Sequence, residues 1–310
     1  TRIEMSQPFK INLYNRYTQK NETESVYGHK AIEFAYNSFM GKLIAPVIAS
    51  KILSKLYGSL QDHSSSRKKI PAFIKDFSIN ISDYDKGSLI DQKKEESYKN
   101  FNEFFIRKFK AGKRVFTPDL NKMGACAEAR YFGHAQITDE LTIPVKGSML
   151  KAKDLLTSIE HNKSFDGGPL LIARLCPVDY HRYHYPDNGK TVNSYQVNGE
   201  LHSVNPLALK FRNDIFIKNE RRVSILETEN FGRLCYIEVG ATCVGRIVQS
   251  FDETKKFQKG DEKGYFLFGG STVIICGEKG RLKPSSDILK NTEHRIETYI
   301  HLGDEVAEHG

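Results

Sequence analysis

Residues 265–275 read Tyr-Phe-Leu-Phe-Gly-Gly-Ser-Thr-Val-Ile-Ile: an apolar run, two glycines, a serine and a β-branched run. Gly269 and Gly270 permit backbone dihedrals that other residues avoid, and they leave the carbonyl of Gly270 unshielded. Ser271 places a hydroxyl one peptide unit from that carbonyl. Such a serine can attack its own preceding peptide bond when a nearby base takes its proton. We therefore expect cleavage between Gly270 and Ser271; the alternative is a turn or bulge joining two strands.

A second polar cluster, residues 174–186, supplies candidate bases for this attack. It contains His181 and His184 among aromatic residues and Asp179. Histidine titrates near neutral pH, so it can act as general base and later as general acid. Two histidines three residues apart on a helical turn can also bind zinc. No carboxylate or cysteine lies at a familiar offset, and the five cysteines show no short paired spacing, so we expect no metal.

The composition indicates a protein with an adequate core and a basic surface. The 310 residues are 39% hydrophobic and carry a formal net charge of +8. Excess basic charge is typical of proteins that bind nucleic acid, a membrane surface or an acidic substrate. No nucleic-acid motif is present and the lysines are dispersed, so we expect no nucleic-acid partner. Unpatterned cysteines favour a reducing compartment over a disulfide framework.

Residues 39–60 are the best candidate for membrane contact. Their longest charge-free run, residues 43–50, has eight residues, whereas a spanning helix needs about 20 apolar residues. We expect neither a transmembrane helix nor a signal peptide. Apolar residues at helical spacing, with lysines off that stripe, predict an amphipathic helix. Such a helix lies in the interface of an anionic membrane or packs on the protein's own core.

The pattern of apolar residues changes near residue 115. Before it, the periodicity predicts helices at 29–38, 39–58, 66–76 and 98–109. After it, β-prone runs broken by Gly, Pro and Asn predict strands at 170–175, 191–197, 223–227, 234–239 and 273–276, with a helix at 152–159. We expect an α+β fold in which a helical, membrane-associating region (1–115) docks on a twisted, mainly antiparallel β core that forms a catalytic domain (116–310).

Short motifs follow one another in a fixed order along nearly the whole chain. They are YNRY (14–17), VYG (26–28), LSKLYG (53–58), SSRKKIP (65–71), FNEFFIR (101–107), PVDYHRYH (177–184), VNP (204–206), VGATCVG (239–245) and GGST (269–272). In these motifs and their order the chain resembles the phosphatidylserine decarboxylases, pyruvoyl enzymes made as proenzymes, and in particular their longer bacterial, type II branch.

The resemblance implies a self-processing lyase. The proenzyme would cut itself between residues 270 and 271 into a large β chain and a small α chain, and Ser271 would become the pyruvoyl cofactor. The mature enzyme would convert phosphatidylserine to phosphatidylethanolamine and CO2 through a Schiff base to that group. The two chains would stay associated, a homodimer is left open, and the location implied is peripheral, on the cytoplasmic side of the cell membrane.

One stretch departs from the family pattern. The family carries an Asp in a SPADG-like segment that orients the catalytic histidine, and residues 125–130 here read ACAEAR, with Glu128 at the Asp position. We expect His184 to take the proton from Ser271, Glu128 to fix the tautomer of His184, and His181 to assist decarboxylation or reprotonation. The alternatives are a surface acid at Glu128 and a structural imidazole at His181.

Two rival functions come from different classes. One is a pyruvoyl decarboxylase that acts on a soluble amino acid. The other is an uncleaved, catalytically degenerate homologue that only binds anionic lipid, which the change at Glu128 leaves open.

Overall fold

The computed structural model of the chain describes residues 11–24, 58–89, 91–137, 142–143, 148–149, 163–202, 204, 215–241, 247–269 and 271–310. This part of the chain mixes helices and strands, and most of its regular structure is sheet. The predicted helices at 29–38 and 152–159, and all but the last residue of the one at 39–58, lie outside it. Within it, none of the helices is long and apolar enough to cross a bilayer.

Strands account for most of the regular structure. In chain order the described strands are β1 (Ile11–Asn15), β2 (Lys20–Glu24), β3 (Lys122–Gly124), β4 (Ala129–His134), β5 (Thr142–Ile143), β6 (Ser148–Met149), β7 (Leu170–Leu175), β8 (Arg182–His184), β9 (Gly189–Val197), β10 (Arg221–Thr228), β11 (Arg233–Val239), β12 (Ile247–Gln249), β13 (Lys256–Phe257), β14 (Glu262–Phe266), β15 (Ser271–Gly277), β16 (Leu282–Pro284), β17 (Glu297–Ile300) and β18 (Glu305–His309).

The helices are short. The α-helices with described bounds are α1 (Ile70–Asp76), α2 (Phe101–Phe105), α3 (Ile215–Lys218) and α4 (Ser286–Glu293), and 3-10 turns occupy Ser64–Lys69, Ile81–Asp83 and Lys94–Glu96. The predicted helix at 66–76 is a 3-10 turn that continues into α1, and the one at 98–109 shortens to α2. Asn100 caps α2 by accepting a hydrogen bond from the Glu103 amide at 2.8 Å. The Glu103 carboxylate reaches back to the amide of Lys99, the residue before the cap, at 2.5 Å.

A ten-stranded sheet forms the core, in the order β13-β9-β10-β11-β15-β7-β4-β17-β1-β2. Its pairings are antiparallel except for β1 with β17, so the predicted antiparallel character is confirmed. The five predicted strands correspond to β7, β9, β10, β11 and β15. Strand β15 pairs with β11 on one side and β7 on the other, and every residue in it is buried.

Residues 11–24 fall within the region expected to be helical but form the hairpin β1–β2 at one edge of this sheet. Ile11 and Leu13 are buried whereas Asn12 between them is exposed, which is the period-two pattern of a half-buried strand. The run is only five residues long, and its periodicity is too brief to stand out in the sequence. The N-terminal part of the chain therefore contributes directly to the β core.

A buried ion cluster ties this hairpin to the centre of the sheet. Oε2 of Glu24 lies 2.7 Å from Nε of Arg130 and 2.8 Å from Nη2 of Arg174. Arg174 also binds Glu297 at 2.5 Å, and Arg130 binds Asp179. Burial alone would raise the pKa of Glu24, but the Arg174 and Arg130 guanidiniums outweigh it and lower the pKa to about 2. The cluster thus depends on an ionised Glu24.

Replacing Glu24 by Gln should destabilise the fold. The change leaves two buried guanidiniums short of a counter-charge, which costs about 3 kcal/mol in the free energy of unfolding. Urea unfolding is best measured in the Ser271→Ala background, where the chain stays in one piece. The matched control is Glu227→Gln, whose pair with Lys190 is 53% exposed on both sides and should change the free energy by less than about 1 kcal/mol.

The deficit of Glu24→Gln should depend on pH. Because the folded pKa of Glu24, about 2, lies below its ordinary value of 4.5, the ionised carboxylate stabilises the fold fully above pH 4.5, and this contribution disappears as the pH falls towards 2. The two unfolding free energies should therefore converge in acid. A deficit that stays constant down to that pH would show that Glu24 acts through packing alone.

Candidate active site

Ser271 is the first residue of β15 and is fully buried. Its Cα partner across the ladder is Leu175 at the end of β7. Two residues before it, Gly269 has a φ of +142°, a conformation that a residue with a Cβ adopts only under strain. Gly270 lies outside the described residues. The described backbone thus bends at Gly269, close to the start of the central strand β15.

The Ser271 hydroxyl contacts His181. Oγ of Ser271 lies 3.3 Å from Nδ1 of His181, and Nε2 of the same ring lies 2.8 Å from the carbonyl oxygen of Cys176. A carbonyl oxygen can only accept a hydrogen bond, so Nε2 must carry a proton. In the neutral ring Nδ1 then presents its lone pair to the serine hydroxyl. The arrangement is that of a nucleophile and a general base.

The surroundings of His181 keep its imidazole neutral. Burial lowers the pKa of His181 to about 3; the Cys176 hydrogen bond opposes this, and the Arg107 and Arg130 guanidiniums reinforce it. The ring is fully buried and stacks on Phe105, with centroids 3.8 Å apart. At neutral pH the base is therefore in its unprotonated, proton-accepting form.

Helix α2 contacts the segment that precedes the serine. Oδ1 of Asn102 accepts a hydrogen bond from the Phe268 amide at 3.0 Å, while its Nδ2 donates to Asp62 at 2.8 Å. The Phe268 ring packs edge-on against Phe101 and Phe105, with centroids 5.0 Å apart in each case. The FNEFF motif was visible in the sequence, but its contacts with Phe268 were not, because they join segments more than 160 residues apart.

His184, the base expected from the sequence, occupies a different environment. Its Nδ1 donates to the Gly260 carbonyl at 2.8 Å, and its Nε2 accepts from the Tyr180 hydroxyl at 3.2 Å. His181 directly precedes β8 and His184 ends it. Along an extended chain, residues three apart point to opposite sides, so only one histidine of the motif can face Ser271. The structure brings His181 to the hydroxyl in place of His184.

Glu128 is buried but pairs with an arginine. Its carboxylate accepts from Arg114 at 2.5 and 2.8 Å, from the Tyr299 hydroxyl at 3.1 Å and from the Leu302 amide at 3.4 Å. Within the described part of the chain this carboxylate bonds to neither histidine of the 177–184 motif. The expected pairing of Glu128 with His184 is therefore not formed here, and the exposed position weighed as the alternative for Glu128 is wrong.

A cavity of about 840 Å³ lies beside the segment that precedes Ser271. Asn102 and Leu267 line it, and its charged lining includes Lys99, Lys108 and Arg182 together with acidic side chains. Leu267 precedes the residue whose amide Asn102 binds, so the cavity lies next to the segment that leads into Ser271.

The site thus combines a buried serine hydroxyl with the lone pair of a neutral histidine, a pairing that can activate the serine as a nucleophile. Residues 101–308 match the family model for phosphatidylserine decarboxylase. Proteins named phosphatidylserine decarboxylase proenzyme are 38% identical in Clostridium perfringens, 39% in Clostridium kluyveri and 38% in Clostridium tetani, each over 96% of this chain and 98–99% of the relative. The chain belongs to the phosphatidylserine decarboxylase family.

The tautomer of His181 can be measured directly. In the uncleaved Ser271→Ala variant, ¹⁵N shifts of the imidazole should show a neutral ring protonated at Nε2 from about pH 5 to pH 8, because burial and the Cys176 carbonyl act independently of the serine. The same protein in urea supplies the control, since its histidines should titrate near the ordinary pKa of about 6.5. A folded-state signal that titrates in this range would contradict the assignment.

Proposed function

We propose that the chain is a phosphatidylserine decarboxylase proenzyme that cuts itself between Gly270 and Ser271 and then converts phosphatidylserine to phosphatidylethanolamine and CO2. The observation that carries this function is the contact of the buried Ser271 hydroxyl with Nδ1 of His181. The relatives' names, which describe proenzymes of this activity, support it. We assign the role of base to His181, in place of the expected His184.

The cleavage chemistry follows from this pair. Nδ1 of His181 takes the proton of the Ser271 hydroxyl, and Oγ attacks the carbonyl carbon of Gly270. The C–N bond breaks, the nitrogen of residue 271 regains a proton, and an ester replaces the peptide bond. Loss of the α-proton of residue 271 then breaks the Oγ–Cβ bond and releases Gly270 as a carboxylate. The remaining dehydroalanine tautomerises, and water converts it to a ketone with loss of ammonia.

The site suits the pyruvoyl group, because the group is made in place from a buried serine. When present it supplies an electron-withdrawing ketone for the decarboxylation. Around it, His181 is the residue placed to move a proton at the α-carbon of the substrate. Asn102 keeps the preceding segment in place, and Phe105 keeps water from the imidazole face. A role for Glu128 in the reaction stays a prediction. Its burial supports that role, whereas the ion pair with Arg114 engages its carboxylate.

The substrate carries a phosphodiester and a carboxylate, so its headgroup needs cations. We assign the headgroup to the cavity lined by Lys99, Lys108 and Arg182, since Leu267 of the segment that leads into Ser271 also lines it. Peripheral contact with an anionic membrane on the cytoplasmic side belongs to the same proposal. The net charge of +8 and the amphipathic pattern of residues 39–60, which fall almost wholly outside the described residues, support it.

Neither rival function is favoured. An uncleaved lipid binder would have no use for a neutral, buried base aimed at Ser271. A decarboxylase of a soluble amino acid does not match the relatives, whose names all specify a phospholipid substrate.

Matched histidine variants test which imidazole is the base. His181→Gln keeps a donor for the Cys176 carbonyl but has no basic nitrogen, so cleavage measured by gel after cell-free synthesis should slow at least about a hundredfold. His184→Asn keeps a donor for the Gly260 carbonyl and should cleave within about threefold of the unaltered chain.

Ser271→Ala is the uncleaved reference for both variants. Cleavage that proceeds normally in His181→Gln and stops in His184→Asn would return the role of base to His184. An unaltered chain that stays in one piece under native conditions would instead favour the uncleaved lipid binder.

The two products should stay together. The small chain, 271–310, supplies β15, which pairs with β11 and β7, and β17, which pairs with β4 and β1. All four partners belong to the large chain, so separation would expose unpaired ladders in the core. Native mass spectrometry should show one complex that dissociates only in denaturant. Release of the small chain at neutral pH without denaturant would contradict this sheet order.

A further inference from the structure

The YNRY motif at residues 14–17 has no part in the chemistry above. Its last two residues, Arg16 and Tyr17, lie in the turn of the β1–β2 hairpin, directly after the end of β1. Among the described residues, the hydrogen bonds of both side chains go to residues after the proposed cleavage point. The turn of a large-chain hairpin therefore contacts the small chain.

Arg16 contacts two elements of the small chain. Its Nε and Nη2 donate to the two carboxylate oxygens of Asp287, in the first turn of α4, at 2.7 and 2.8 Å. Its Nη1 donates to the carbonyl oxygen of Glu305 on β18 at 2.6 Å. A single surface ion pair contributes little to stability. This pair is partly buried, bidentate and joined by a backbone bond, so it fixes both charge and geometry.

Tyr17 contacts the loop between β17 and β18. Its hydroxyl donates to Oδ2 of Asp304 and accepts from the His301 amide, both at 2.6 Å. Its ring stacks on the His301 imidazole, with centroids 3.7 Å apart. Burial and the Asp304 carboxylate raise the pKa of Tyr17, so the hydroxyl stays a donor at neutral pH. Tyr17 thus binds a side chain, a backbone amide and a ring of the small chain.

The hairpin also encloses a strand of the small chain. Strand β17 lies between β4 and β1 in the sheet, so strands of the large chain flank it on both sides. At the end of the hairpin opposite the turn, Glu24 binds Arg130 and Arg174 of the large chain. The hairpin is therefore attached to the large chain at one end and to the small chain at the other. Release of β17 requires the hairpin to open.

We propose that Arg16 and Tyr17 form an interaction surface (the clasp) whose partner is residues 287–305 of the cleaved small chain. Cleavage removes the peptide link between residues 270 and 271. The clasp then helps to keep the chain that begins at residue 271 in the sheet. The inference rests on the proposed function, because a separate small chain exists only after cleavage.

Release of the small chain from the cleaved complex, followed by size-exclusion chromatography in graded urea, tests the clasp. Arg16→Gln should lower the urea midpoint of release by at least about 0.5 M, because it removes a charged, bidentate contact between the chains. Tyr17→Phe keeps the ring stack but loses both hydroxyl bonds, so it should lower the midpoint by a smaller amount.

Thr18→Ala is the matched control in the same turn. The Thr18 hydroxyl donates to Glu22 within the hairpin at 2.7 Å, so its loss should change the midpoint by less than about 0.2 M. All three variants should cleave within about twofold of the unaltered chain, because none of them alters the contacts of Ser271 or His181.

A double-mutant cycle between the two chains shows whether the contact itself is responsible. Asp287→Asn alone should also lower the midpoint of release. The double variant Arg16→Gln with Asp287→Asn should lie within about 0.2 M of Arg16→Gln, because both changes remove the same interaction. Additive shifts would show that Arg16 acts elsewhere.

The proposal is overturned by additive shifts, or by a midpoint for Arg16→Gln that matches the unaltered complex or the Thr18→Ala control. If Arg16→Gln fails to fold, the comparison of Tyr17→Phe with Thr18→Ala decides alone, and equal midpoints refute the clasp. Failure of the unaltered chain to cleave would instead refute the proposed function. The contact is then read from urea unfolding of the intact chain, where Arg16→Gln must still lower the midpoint more than Thr18→Ala does.

Discussion

The hydrogen bond from Nε2 of His181 to the Cys176 carbonyl is the interaction on which the site depends. It assigns the proton of a neutral imidazole to the side away from Ser271 and leaves a basic nitrogen facing the hydroxyl. A buried imidazole without this bond would have no preferred tautomer. In many serine nucleophile systems a carboxylate performs this orientation directly; here the backbone carbonyl of Cys176 occupies that place.

The rest of the fold holds Ser271 and His181 in fixed positions. Ser271 opens the fully buried strand β15, between β11 and β7. Helix α2 supplies Asn102 to the segment before the serine and Phe105 to the face of the imidazole. Since β15 and β17 both come from the residues after the proposed cleavage point, cutting the chain there would leave their pairing with the other strands intact. The strand that carries the reacting residue is thus held by the sheet before and after the proposed reaction.

Sequence reasoning reached the β core and singled out Ser271, because both have local signatures; reaction at Ser271 stays a prediction. Period-two and β-branched runs marked β7, β10 and β15, and the glycine pair marked the position before Ser271. The choice between His181 and His184 has no such signature, since it depends on the side of an extended segment to which each ring points. The contacts of Asn102, Phe105 and Asp179 could not be predicted from the sequence either, because they join distant segments. The hairpin β1–β2 was not predicted for a local reason: five residues of alternating apolar and polar character are too few to indicate a strand.

Intact mass spectrometry of the purified, unaltered protein tests the central claim most directly. The account predicts two chains, 1–270 and 271–310, with the small chain lighter by one ammonia than the same peptide beginning with serine. That difference records conversion of Ser271 to a terminal ketone. A single chain of 310 residues, or a small chain that still begins with serine, would contradict the account.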